Sequence, residues 1–227
     1  MAINMKKTVY SIAIDGPAGA GKSTIAKELS KRLHILYLDT GAMYRALGLK
    51  AYEHKTDISD ETAVGRLLSE TCVGVKYKDG SQRTYLDGRD VSDSIREPHI
   101  SKAASDISAV PAVRYKMVEL QREIAAAHSM VLDGRDIGTF VLPDAKYKIF
   151  LTADPRVRAE RRYLELTAKG QSVSRGEVLS EMLARDENDS KRAVAPLKKA
   201  ADAATVDTSD LNPQEVVERI LKIIENN

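Results

Sequence analysis

The chain has 227 residues, a formal net charge of +2 with 30% charged residues, and a single cysteine. That length accommodates one α/β domain with a small insertion and is tight for two full domains. The balanced charge argues against a broad basic surface for nucleic acid or membrane, and a lone Cys72 cannot form an internal disulfide or a thiolate metal cage, so it reads as a small buried apolar residue in a reducing cytosol.

The lead Met1–Lys7 lacks an apolar core followed by a small-residue cleavage site, and no stretch reaches the ~18 apolar residues of a membrane span. A cytoplasmic protein is expected. The apolar, β-branched run Val9–Asp15 predicts a strand. It breaks into Gly16-Pro17-Ala18-Gly19-Ala20-Gly21-Lys22-Ser23-Thr24, after which Ile25, Ala26, Leu29 and Leu33 recur at helical spacing. Strand, loop and helix form the setting that a GxxxxGKS pattern requires, which makes this stretch a P-loop. Gly16, Gly19 and Gly21 permit a backbone whose successive N–H groups face one anion-sized hollow. Lys22 supplies a compact charge for β and γ phosphates, Ser23 a hydroxyl for Mg²⁺, and the helix N-terminus a partial positive charge.

A second strand-turn-helix unit follows: Ile35–Leu38, the turn Asp39-Thr40-Gly41, then a helix from Ala42. Its strand end lies beside the first loop in a parallel sheet, where such sheets bind ligands. Arg45 early in that helix opposes the helix dipole and suits an anionic ligand. From Asp57 to about Pro98 a short helix (Glu61 to Glu70) precedes Val73–Tyr77, the turn Lys78-Asp79-Gly80-Ser81, and Gln82–Leu86. That pattern predicts an antiparallel hairpin, foreign to a βαβ series: either a small inserted lobe on the substrate side or plain scaffolding. Helices follow through Ile100, Ala104 and Ile107, and after Pro111 through Val113, Met117, Leu120 and Ile124. Arg114 falls at the rim of the second apolar stripe, where it reaches into a cleft or snorkels to water.

Met130-Val131-Leu132 is a buried strand ending at Asp133-Gly134-Arg135-Asp136-Ile137-Gly138-Thr139. A strand-terminal Asp is where a P-loop protein places its Mg²⁺-organising carboxylate, usually through water, and Asp133 is that candidate. Leu86-Asp87-Gly88-Arg89-Asp90-Val91 nearly repeats the stretch, but it follows an alternating strand, where Asp-Gly is explained as a turn. Lys148–Thr152 is a further strand. Asp154-Pro155 then starts a helix carrying Arg156, Arg158, Arg161 and Arg162, joined by a polar stretch through Ser172, Ser174 and Gly176 to another helix at Glu177. A basic helix, a flexible connection and a second helix suit a lid over polyphosphate, with a charged solvent-facing helix as the alternative for any single arginine. Arg185, Asp189 and Arg192 share one face, either as a salt-bridge ladder or as two anion-gripping forks with an acceptor for a sugar hydroxyl. Ala204–Asp207 is a last strand, and Asn212-Pro213 opens an amphipathic helix with Val216, Val217, Ile220, Leu221 and Ile224 as core.

With these pieces in place the chain resembles the bacterial-type cytidylate kinases of the nucleoside monophosphate kinase superfamily. The resemblance rests on Gly16–Thr24, Asp39–Arg45, Asp133–Thr139, and Arg185–Arg192 followed by Ala193-Val194-Ala195-Pro196-Leu197, and it covers essentially the whole chain. It implies an α/β P-loop nucleoside monophosphate kinase fold with a five-stranded parallel sheet, a small antiparallel insertion and a short lid. Core, acceptor lobe and lid would fall at about 6–40, 110–153 and 195–227; 41–109; and 154–190. The resemblance implies that Arg45, Arg135 and Arg192 hold the CMP phosphate, that Ser105, Arg114 and Asp136 read cytosine, and that Arg185 and Asp189 hold the ribose. Thr40 would donate a hydroxyl near the acceptor, and Arg158 and Arg162 would reach the phosphates from the lid.

The expected reaction is phosphoryl transfer from ATP to CMP, in pyrimidine nucleotide metabolism, with Mg²⁺ as cofactor, dCMP accepted and UMP poorer. Lys22, Asp133, Arg135, Arg158 and Arg162 form the catalytic set. No histidine is needed, since a monophosphate oxygen is already anionic near neutral pH. A monomer that binds neither nucleic acid nor membrane is expected. Another small-molecule P-loop kinase is the rival in chemistry. A nucleotide-dependent switch or nucleic-acid ATPase is the rival of another class, disfavoured by the absence of Trp and the presence of only two Phe.

Overall fold

The computed structural model describes residues 9–78 and 80–226. The lead Met1–Lys7 and Asp79 of the hairpin turn lie outside the described residues. The central sheet is built from β1 (Ser11–Asp15), β2 (Leu36–Asp39), β6 (Met130–Gly134), β7 (Tyr147–Thr152) and β8 (Ala204–Asp207), in the spatial order β2-β6-β1-β7-β8 and parallel throughout. A separate antiparallel sheet intervenes in the chain between β2 and β6: β3 (Val73–Lys78), β4 (Ser81–Leu86) and β5 (Arg89–Asp90).

Both faces of the central sheet are covered, so its strands read as apolar runs whose alternate residues enter different cores. Ala13, Leu38, Met130 and Leu132 face α2 (Thr40–Glu53), α4 (Pro98–Ile107) and α5 (Pro111–Ala127), where Met43, Leu47, Ile100, Ile107 and Val113 are buried. Ile12, Ile14, Val131, Ile149, Leu151 and Val206 face α1 (Lys22–Leu33) and α8 (Pro213–Glu225), packed against Leu29, Val216, Val217 and Ile220. After β1 the chain runs to the β2 edge, and after β7 to the β8 edge. The carboxyl ends of the adjacent strands β1 and β7 therefore open on a crevice from which the connections diverge, the usual ligand position in such sheets.

The segment expected as a lid folds as a hairpin of α6 (Pro155–Ala168) and α7 (Arg175–Lys191) with its own small core of Ala159, Leu166, Val178 and Met182. The helix expected from Glu177 begins at Arg175, because Ser174 and Glu177 form a reciprocal capping box. The helix α3 (Glu61–Ser69) ends one residue before the expected Glu70. The expected hairpin gains a third strand: Asp87 and Gly88, both at positive φ (51° and 83°), turn β4 into β5. The Asp-Gly of the first copy of the repeated sequence is thus a turn, as its context predicts.

Two burial expectations are corrected. Cys72 is exposed, not buried: it lies on the run into β3, and its N–H and carbonyl are held by Asp87 while its side chain stays in solvent. Arg114 is buried, only 1% exposed, so of its two readings the one that snorkels to water is excluded. Asp136 supplies the countercharge that permits it.

Candidate active site

The glycine-rich loop joins β1 to α1 through backbone that side chains would forbid. A Cβ on Gly16 would come within 2.1 Å of the Leu151 carbonyl oxygen on β7, and Gly21, the residue before α1, has φ 88°. Lys22 opens the helix, is 6% exposed, and donates from Nζ to the Pro17 carbonyl at 2.7 Å, closing the loop on itself. Burial, then the neighbouring Arg135, pushes its pKa well below the usual lysine range, with Asp133 working in the opposite direction. The loop thus confines a cation whose hydrogen bond goes to a backbone carbonyl and not to a carboxylate.

Asp133, at the end of β6, is the node of the site. Its Oδ2 accepts from Ser23 Oγ at 2.7 Å and its Oδ1 from Tyr37 OH at 2.8 Å. Thr40 Oγ1 donates inward to the Asp133 carbonyl at 2.7 Å. Burial, reinforced by Asp39 on the adjoining strand, raises the Asp133 pKa. Asp39 itself caps α2 through the Ala42 N–H at 2.8 Å and holds Arg45 at 2.9 Å. Asp15, which ends β1, accepts the N–H groups of Ile137 and Gly138, each at 2.7 Å. It thereby anchors the single π-helical turn Ile137–Val141 that follows β6. Burial outweighs those two bonds and pushes the Asp15 carboxyl up to about 6.

Beyond Lys22 lie Arg45, Arg135, Arg185 and Arg192. Asp189 on α7 accepts from Arg135 Nε at 2.7 Å and makes a close ion contact, without hydrogen-bond alignment, with Arg192 at 2.5 Å. Against the cost of burial, these cations and Arg185 hold Asp189 below the usual carboxylate range. The Arg-Asp-Arg stripe is therefore linked by ion contacts between Asp189 and Arg192, and it recruits Arg135 from the sheet. Arg185 stands apart. Among the described residues no carboxylate pairs with it, its Nε is shielded from solvent without a partner, and burial together with Arg135 lowers its pKa to about 10. Arg45 Nε is likewise shielded and unpaired.

Next to this cluster, Arg114 donates to Asp136 and, at 3.3 Å, to the Ser108 carbonyl, and its guanidinium lies 5.5 Å from the centre of the Tyr44 ring. Arg192 donates to Ser108 Oγ at 2.7 Å. Ser105 lines a cleft of about 320 Å³ with Asp106, Ala109, Asn188, Lys191, Arg192 and Ala193. The structure thus brings Ser105 and Arg192 together, and Arg114 with Asp136.

Of the lid cations, Arg162 pairs with exposed Glu165 at 2.8 Å, while Arg158 is buried and held by Asp186 and by the Ala18 and Ala153 carbonyls. Residues without a sequence-derived role are Asp15, Tyr37, Asp39, Tyr44, Ser108 and Asp186. Asp15 and Asp39 carried a readable signal, each being an acid at a strand's carboxyl end. The others are read only through partners distant in the chain.

A parallel sheet with a glycine-rich loop and lysine at the end of its central strand, an acid at the end of the next, and a crowd of guanidinium groups opposite defines a P-loop phosphotransferase. The fold is shared with a solved structure of an uncharacterised protein from Eubacterium ventriosum, at TM-score 0.53 and 15% identity over 96% of this chain and 99% of that one. The family model for cytidylate kinase matches residues 12–226. A cytidylate kinase of Pelotomaculum thermopropionicum is 51% identical over 212 residues, 93% of this chain and 94% of the relative. One of Lactobacillus gasseri is 48% identical over 217 residues, 96% of this chain and 94% of the relative. The chain belongs to the cytidylate kinase family.

Proposed function

We propose that this protein transfers the γ-phosphoryl group of ATP to the phosphate of CMP, giving ADP and CDP, that it accepts dCMP, and that UMP is a poorer acceptor. The observation that carries the reading is the excess of buried and half-buried cations. Arg185 has no acid of its own, and it stands with Arg45, Arg135 and Arg192 across from Lys22 and the loop. Cations in such excess favour anions at two places, the loop and the acceptor side. The curated relatives named cytidylate kinase support CMP as the acceptor.

ATP phosphates lie in the loop from Gly16 to Thr24, against its N–H groups and Lys22. The metal donor set is hard oxygen alone: Ser23 Oγ and Asp133 Oδ2, 2.7 Å apart. No group of three or more His, Cys, Asp or Glu able to hold a metal occurs among the described residues. That set fits Mg²⁺, which keeps waters and takes phosphate oxygens instead of an all-protein cage. When bound, Mg²⁺ neutralises charge developing on the β and γ oxygens.

On the acceptor side, Arg45, Arg135 and Arg192 hold the CMP phosphate, Arg185 and Asp189 the ribose, and Ser105, Arg114 and Asp136 the base, with Thr40 beside the acceptor. An oxygen of that phosphate attacks the γ phosphorus in line. The bond from γ phosphorus to the bridging oxygen breaks, and the electron pair leaves with ADP. No general base is required. Lys22 and Arg135 oppose the charge that builds between the two nucleotides, and Arg162 can exchange its exposed carboxylate for phosphate. Residues 41–109 form the acceptor lobe and 154–190 the lid around a core of 6–40, 110–153 and 195–227, in a cytoplasmic monomer. No helix among the described residues is long and apolar enough to cross a membrane.

The test is a panel of purified protein, ATP and Mg²⁺ with CMP, dCMP, UMP, AMP, dTMP and shikimate, read by ADP release. CMP and dCMP are expected to lead. ADP release with CMP no higher than with buffer, while another acceptor gives a signal, refutes the assignment.

A further inference from the structure

Ala18, in the middle of the glycine-rich loop, is tied to the lid hairpin in three different ways. Its N–H donates to Asp186 Oδ1 on α7 at 3.0 Å, and its carbonyl accepts from Arg158 Nη1 on α6 at 2.9 Å. Its methyl packs against the lid's own core of Ala159, Leu166, Val178 and Met182. Arg158 and Asp186 also pair with each other, and Arg158 Nε is fixed by the Ala153 carbonyl at 3.1 Å. The neighbouring Gly19 leaves no gap: a Cβ there would lie 2.8 Å from Met182 Cε and 3.0 Å from Arg158 Cβ.

A buried ion pair is weak evidence for stability, because desolvation offsets attraction. This one does something more specific. It engages both polar atoms of a single loop residue, so the loop cannot rotate at Ala18 without breaking two hydrogen bonds at once. The direction in which the following N–H groups point depends on that orientation. We propose that Arg158 and Asp186 are positioning residues for the triphosphate, gripping Ala18 from the lid so that lid and phosphate loop move as one piece there. The inference rests on the ATP-binding reading of the loop. It assigns Asp186 a task in the reaction and gives Arg158 one that needs no contact with phosphate.

The experiment is steady-state kinetics with each substrate varied, on Asp186→Ala, Asp186→Asn, Arg158→Ala and the double variant Arg158→Ala/Asp186→Ala, with folding checked by circular dichroism. Asp186→Ala is expected to raise KM for ATP about tenfold or more, as loss of a hydrogen bond to a charged group does, and to leave KM for CMP within about twofold. Asp186→Asn, which still offers an oxygen to the Ala18 N–H, recovers part of the loss. The double variant is no worse than the poorer single one, because the two groups act as a unit. An unchanged KM for ATP, an equal rise for both substrates, or additive losses overturns the proposal. Amide exchange of the nucleotide-free wild type supplies a readout that needs no variant to fold. The Ala18 amide is expected to exchange slowly, and exchange at the rate of an unstructured amide overturns the clamp. A wild type that neither binds nor uses ATP overturns the kinase reading instead, while the Ala18 amide still tests the contact.

Discussion

Arg185 offers a perturbation in which stability and function move in opposite directions. Its depressed pKa means that the folded protein disfavours the charged guanidinium, which at neutral pH stays charged nonetheless. At about 1.4 kcal/mol for each tenfold change in proton affinity, a fall from 12.5 to about 10 costs the unliganded fold at most about 3–4 kcal/mol. Because the side chain is only partly buried, solvent screening reduces that to about 1–2 kcal/mol. The cost is full at neutral pH and fades only as pH rises through the folded pKa, in the alkaline range. Arg185→Met keeps the aliphatic bulk and removes the charge, and is expected to raise the melting temperature of the unliganded protein by about 2–6 °C. The same variant is expected to weaken CMP at least about tenfold. Thermal unfolding with and without CMP reads both. Saturating CMP should raise the melting temperature of the wild type and leave that of the variant nearly unmoved. A variant less stable than wild type without ligand, yet still stabilised by CMP, refutes the argument that Arg185 is an uncompensated cation kept for the ribose end of CMP.

Lys22→Ala is expected to lower kcat at least about a hundredfold while KM for CMP stays within about threefold, since its charge serves the transferring phosphoryl group; steady-state kinetics with CMP varied checks this. Asp136→Asn removes the countercharge of an arginine that is 1% exposed, so a stability loss of about 3 kcal/mol is expected in urea unfolding, with a raised KM for CMP. For Asp15, burial favours the protonated form in the fold. Its contribution to stability therefore falls as pH rises from the ordinary carboxylate range through about 6, and its carboxyl ¹³C signal should titrate near 6. A midpoint below 4 would show that the two N–H bonds from Ile137 and Gly138 outweigh burial.

The parts of the fold legible in the sequence are those specified locally. The strand at Met130–Leu132 is a continuous apolar run, and the loop from Gly16 carries its glycines and lysine in a fixed order. The third strand of the insertion escapes because Arg89–Asp90 is only two residues long and both are exposed. Arg114 is misplaced for a related reason. Helical periodicity puts it at the edge of the apolar stripe, and only Asp136, 22 residues away, makes its burial tolerable. The site divides the same way. Lys22, Ser23 and Asp133 stand at strand ends and in a motif, where position alone suggests chemistry. Tyr37 looks like one more strand residue until its hydroxyl is seen on Asp133, 96 residues further along, and Asp186 looks like one acid among several on an exposed helix until Ala18 is found beside it, 168 residues away. Cys72 shows the limit of composition, since residue type predicts average burial and not the fate of a residue at the mouth of a small sheet.

The small antiparallel sheet has a consequence for how the molecule behaves among its own copies. β2 is the outermost strand of the central sheet, with Tyr37 and Asp39 turning backbone groups away from β6. The carboxamide of Gln82 takes the Asp39 N–H at 2.7 Å and donates to the Asp39 carbonyl at 3.3 Å, and the Tyr77 hydroxyl donates to the Tyr37 carbonyl at 3.1 Å. Side chains thus imitate one rung of a missing strand. An open edge of parallel sheet is a template on which a second chain can add and begin an aggregate, and here that template is stoppered from within, by the small antiparallel sheet.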